Sequence, residues 1–246
     1  MHFSAPTGTP RRLRAHVLGA AALVAVVLPL AVLGAPASAG TVTAAAVIKE
    51  AKAAIATQSS AHLEFDADST SSSSTEQIVA DVGAGAGTET VTDGTALLHV
   101  TVTPQDGYIS GSASGLTSLF GMTSAEATKV GKRWEFWKKG TVQYKDLESV
   151  ISVKSLASLL PKSKGTTLST RGSDYVLVWT SAASGSTPKL NNTLSIAAKG
   201  TNLPVEETST DSGGEKVTTS ISKWGEAVAV HAPPAGSAVA ASKITG

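Results

Sequence analysis

The chain has 246 residues, with 20 Lys and Arg against 19 Asp and Glu and no cysteine. A thiolate metal site, a Cys nucleophile, a structural disulfide and a lipid-modified N-terminal Cys are therefore excluded. Charge this balanced lacks the strong basic field that nucleic-acid binding needs.

Residues 1–39 read as a secretory signal peptide. Arg11, Arg12 and Arg14 form a positive start, an apolar run extends from Val17 to Leu33, and Ala37-Ser38-Ala39 is a small-residue cleavage site. A retained membrane anchor is the alternative; Pro29 and the Ala-x-Ala site favour cleavage. The segment carries three of the 20 basic residues and no acids, so the remainder has a net charge of −2. A secreted chain without disulfides must be held by its core, and about 207 residues are enough to bury one. Residues 40–235 are assigned to one domain and 236–246 to a flexible tail.

The pattern from 43 to 57 predicts a helix capped by Thr43, with Val47, Ile48, Ala51 and Ile55 at helical spacing. At "AHLEFDADS" the period drops to two, with Leu63, Phe65 and Ala67 facing one way and His62, Glu64, Asp66 and Asp68 the other. This is a half-buried antiparallel strand. "EQIVADV" predicts a second strand that "GAGAGTET" interrupts or bulges, and "TALLHVTVT" a third. Pro104-Gln105-Asp106-Gly107 is a turn, and "YISGS" starts a fourth strand. "GLTSLFG" is ambiguous. Ser124 caps a short helix closed by Gly131, and "KRWEFWKKG" follows as a strand. Helical spacing returns through Leu147, Val150, Ile151, Leu156, Leu159 and Leu160, with Ser152–Ser155 splitting it and Pro161 ending it. The last third predicts strands at 166–171, 174–181, 190–198, 203–210, 215–224 and 227–231. The fold class is therefore α+β. Sequential antiparallel strands with few helices make one strongly curved antiparallel sheet with helices covering its concave face, and no βαβ alternation appears.

The reactive motifs are weak. Gly83 to Gly87 is glycine-rich but leads into a strand-like run rather than the helix that a phosphate loop must open. Gly111-Ser112-Ala113-Ser114-Gly115 has Ala where a nucleophile elbow needs Ser. Ser220-Ile221-Ser222-Lys223 lies in a strand, not at a helix start. Past the leader only His62, His99 and His231 remain, on separate strands and without metal-ligand spacing. Asp66 and Asp68 share a wet face, where neither gains the burial that raises a catalytic carboxyl. Neither a catalytic set, a metal site nor a cofactor is expected.

Of 4 Trp, 3 Tyr and 4 Phe, three residues crowd into 134–137. Alternation puts Trp134 and Phe136 on one side, read as the buried or ligand-facing side, and Arg133, Glu135 and Trp137 on the other. Trp137 beside Lys138 and Lys139 suits a rim in peripheral contact with a membrane. Packing beneath the next loop, with the lysines protecting an edge strand, is the alternative.

Several stretches together carry a family resemblance. They are "VIKEAKAAIATQSSAHLEFDAD", "DGYISG" followed by "LTSLFGMTSAEATKVGKRWEFW", "YKDLESVISVKSLASLL", "LSIAAKGTNLPVEETST" and "TTSISKWGEAVAVHAPPA". Leu203-Pro204-Val205 precedes a strand, and Trp224-Gly225 precedes the Ala232-Pro233 end. Over roughly 41–235 the chain resembles LolA-like carrier proteins, within them the actinobacterial LppX/LprG-type cell-envelope proteins. The resemblance implies a non-enzymatic carrier that holds an acyl chain of a lipid or lipoprotein in an apolar half-barrel, on the extracellular side of the cell envelope. Members usually carry a lipobox Cys; this chain has none, which implies free secretion. A protein-interaction or sensor module of the same fold, without a lipid, is the alternative. The expected lining is Leu63, Phe65, Ile78, Leu98, Val100, Ile109, Trp134 and Phe136 from the sheet, and Leu147, Ile151, Leu156 and Leu159 from the helices. An empty apolar hollow of about 300 Å³ would cost roughly 7 kcal/mol, against a net stability of about 5–15 kcal/mol. Such a hollow must be occupied, wetted or collapsed by its helices.

Overall fold

The structure is a computed structural model that describes residues 42–68, 75–183 and 188–244. The segment assigned as a signal peptide lies outside them. Helix α1 (Ala44–Ala56) begins where Thr43 Oγ1 accepts from Ala46 N at 3.2 Å, as the Thr cap in the sequence requires. The chain then runs through β1 (Ser60–Asp68), β2 (Glu76–Gly83), β3 (Gly87–Asp93), β4 (Ala96–Val102) and β5 (Asp106–Gly111). A π-helical turn (Gly115–Leu119), α2 (Ser124–Val130), β6 (Trp134–Lys138), α3 (Val142–Val150) and a 3-10 helix (Val153–Leu159) follow. The second half is β7 (Thr167–Arg171), β8 (Asp174–Ser181), β9 (Leu190–Ala197), β10 (Pro204–Asp211), β11 (Lys216–Ser222) and β12 (Ala238–Ala240).

These twelve strands make one sheet in the order β12-β6-β5-β4-β3-β2-β1-β11-β10-β9-β8-β7, and it does not close into a barrel. Every adjacent pair is antiparallel except β12 with β6. Two meanders, β1–β6 and β7–β11, meet where β1 pairs with β11. The Leu-Pro turn and the Trp-Gly pair are tied together at this seam, since Trp224 Nε1 donates to the Pro204 carbonyl at 2.9 Å.

Four expectations need correction. Residues 87–93 form their own strand, β3, rather than a bulge, because the chain reverses through Ala84–Ala86, where Gly85 takes φ 146°. Thr123, not Ser124, caps α2; its side chain accepts from Glu126 N while Glu126 Oε2 accepts from Thr123 N. Residues 227–231 form no strand, because both sides of β11 are already taken by β1 and β10. Residues 238–240, assigned to a flexible tail, pair with the free edge of β6, and Ile244 just beyond them is buried.

The helices lie on one face. Val47 and Ala51 of α1 pack on Leu177, Leu194 and Ile196. The π-helical turn, α2, α3 and the 3-10 helix cover the β1–β6 half and form the larger cluster with it. These roof elements are 5, 7, 9 and 7 residues long. Helices this short do not hold in isolation, so packing and end caps decide whether they form. Replacing Thr123 or Thr141, whose Oγ1 accepts from Tyr144 N, by Ala is expected to cost about 1 kcal/mol each. Thermal unfolding measures this, and no loss in either variant would contradict the capping role.

Candidate functional site

Strand register decides which side chains share the covered face. One cross-strand row runs Ile221, Leu63, Ala80, Glu89, Val100, Ile109 and Glu135, ending beside Val239. A second runs Leu177, Leu194, Glu207, Thr219, Phe65, Ile78, Val91 and Leu98. Leu63, Leu98, Val100 and Ile109 therefore meet Leu147, Ile151, Leu156 and Leu159 of the roof in one apolar cluster, with Ile78 packed at its edge. Phe65 is buried on the same face, outside that cluster. The roof presses onto these side chains, leaving Leu98 and Ile109 at 0% exposure.

Trp134 and Phe136 are on the opposite face. Phe136 pairs with Tyr108, whose neighbour Ile109 points inward opposite Glu135. Trp134 lies beside His99 at 6.3 Å between ring centroids, and Phe136 lies between Tyr108 at 6.0 Å and Lys138 Nζ at 5.4 Å. The expected orientation of this strand is thus reversed, and Glu135 and Trp137 point under the roof.

There Trp137 meets Phe120, ring centroids 5.7 Å apart and tilted 38°. Phe120, Met122, Trp137 and Ile244 wall a half-open cleft of about 210 Å³, and Glu126, Glu135 and Gln143 supply its polar groups. Glu135 is 2% exposed, and its Oε2 has no hydrogen-bond partner among the described residues. Burial, helped by the nearby Glu126 carboxylate, pushes its pKa up to about 7. Glu89, buried in the same row, is raised to about 7 by desolvation and then by Glu76. Burial alone lifts Glu207 to about 7. The alternation of Glu89 with Gly87 and Val91 marks it as inward; Glu135 could be placed only once its pairing partner was known.

His62 has Nδ1 at 2.7 Å from Asp81 and Nε2 at 3.3 Å from Glu64, so both ring nitrogens are engaged by carboxylates. Among the described residues no three His, Asp or Glu come close enough to hold a metal ion. Nor is any described helix long and apolar enough to cross a membrane.

No protein-family model matches the chain, and no curated protein does. Solved structures do. LprF from Mycobacterium bovis is similar with a TM-score of 0.53 at 15% identity, over 77% of this chain and 96% of that one. The fold is that of LprF. The Mycobacterium tuberculosis lipoprotein LppX has 19% identity over 76% and 98% of the two chains, with a TM-score of 0.44. A LolA superfamily protein from Nitrosomonas europaea has 9% identity over 77% and 96%, with a TM-score of 0.31. Of these three, LprF alone is near enough to bear on the fold.

Proposed function

We propose that the chain is a secreted, non-enzymatic carrier that takes an acyl chain of a lipid or lipoprotein between its sheet and its helical roof, on the outer side of the cell envelope. The observation that carries this reading is the convergence of Leu63, Leu98, Val100 and Ile109 with Leu147, Ile151, Leu156 and Leu159 beneath four short segments. At Leu98 and Ile109 the roof lies down on the apolar face and avoids the cost of an empty cavity there. An acyl chain lifts the roof and replaces its contacts, gaining about 0.8 kcal/mol per buried CH₂. The half-open cleft at Phe120 and Trp137 is where the roof already parts from the sheet. Both His62 nitrogens are occupied by carboxylates, so that imidazole has none left to activate a hydroxyl.

Mass spectrometry of an organic extract of the purified secreted protein tests the reading. Acyl species in stoichiometric amount are expected. An extract free of them, with a protein retained instead, would favour the interaction module.

A further inference from the structure

The cleft at the end of the roof carries a chemistry that acyl-chain binding does not use. Its walls are apolar, yet it is lined by Glu135, whose buried Oε2 has no partner among the described residues. Buried polar atoms are rarely left unpaired, since each costs about 1–3 kcal/mol and a charged one more. The second carboxyl, Glu126, belongs to the α2 cap and lines the same space. Of the neighbouring cations, Lys129 Nζ donates to the Ile244 carbonyl at 2.8 Å, and Arg133 donates to the carbonyls of Val130 and Lys129. Gln143 and Ile244 bring no charge.

We infer that this cleft is a binding subsite for the ammonium group of an aliphatic amine. A cation satisfies Glu135 and Glu126 together, whereas an anion is repelled by both. The tilted Phe120–Trp137 pair adds ring faces of the kind that attract an ammonium. Met122 and Ile244 accept the first methylenes, and the open side leads the chain outward. A head group that joins its ammonium to a phosphate suits the site poorly, because two carboxylates oppose the phosphate. The inference rests on the cleft and not on the acyl-carrier reading.

Calorimetric titration of the secreted protein at pH 8 tests it, using decylamine, decanol, decanoate and dihexanoylphosphatidylethanolamine below their micelle-forming concentrations. Decylamine is expected to bind at least tenfold more tightly than the other three. Glu135→Gln should lose at least tenfold in decylamine affinity and leave the weaker affinity for uncharged decanol unchanged. Wild-type affinity for decylamine should also rise from pH 6 to pH 8 as Glu135 ionises, with Glu126 the other titratable group lining the cleft; this readout does not depend on the variant folding. Equal affinity for the four ligands, no decylamine binding, a Glu135→Gln variant that folds and binds unchanged, or affinity flat with pH would each overturn the inference. Loss of dioctanoylglycerol uptake in wild type would sink the carrier reading and leave this one standing.

Discussion

Gly115→Ala is expected to destabilise the protein by about 3 kcal/mol or more. A Cβ at Gly115 would lie 2.0 Å from the Leu97 carbonyl oxygen and 2.6 Å from its carbon, so it meets backbone rather than a yielding side chain. Neither partner is free to retreat. Leu97 O accepts from Ser112 N at 2.9 Å, Leu97 N donates to Ser112 Oγ at 3.0 Å, and Ser112 Oγ accepts from Gly115 N at 3.0 Å. This corner fastens the start of the roof to β4. Gly140→Ala is the control: Gly140 has φ 93° and open space around it, so the change meets only backbone strain and costs about 1 kcal/mol. Urea unfolding of the two variants distinguishes them, and equal losses would contradict the close approach of the roof.

Stability is expected to fall as pH rises from about 4.5 to about 7. Glu89, Glu135 and Glu207 are held neutral by burial, with pKa values raised to about 7 from the ordinary 4.5. Between those values the folded chain keeps protons that the unfolded chain has released, so each rise in pH favours unfolding. Above about 7 both states are ionised at these sites and the dependence flattens. For Glu89 and Glu135 the loss is at most about 3 kcal/mol each, at about 1.4 kcal/mol per pH unit. Urea midpoints at pH 5 should therefore exceed those at pH 8, and Glu89→Gln should raise stability at pH 8 while leaving pH 5 nearly unchanged. Stability that instead climbs between pH 5 and pH 7 would contradict burial of these carboxyls.

Much of this face was legible in the residues. Leu63 and Phe65 alternate with polar neighbours over a long stretch, which leaves one buried parity, and the Leu147–Leu159 series has the helical spacing of a covering segment. The Thr43 cap is a local event that needs no tertiary information. Strand β6 differs because Trp134-Glu135-Phe136-Trp137 places aromatics on both parities. Alternation yields two sides but not which one is inner; that comes from the pairing of Ile109 with Glu135, 26 residues apart in the chain. Ala238-Val239-Ala240 is too short and too rich in alanine to read as a strand, and it becomes one where β6 offers an open edge. The π-helical turn owes its shape to the Leu97 corner, a contact across 18 residues that no local pattern carries.

A disulfide that pins the roof tests most directly whether the helices must lift to admit an acyl chain. A Cβ at Gly107 on β5 would lie 3.9 Å from Leu147 Cβ on α3, close to the separation that a disulfide requires. No other cysteine competes for oxidation. Uptake of a pyrene-labelled diacylglycerol by the Gly107→Cys, Leu147→Cys variant should be at least tenfold lower when oxidised than when reduced. Equal uptake by the two forms would mean that the chain does not enter beneath α3, and the roof would then be a fixed part of the core.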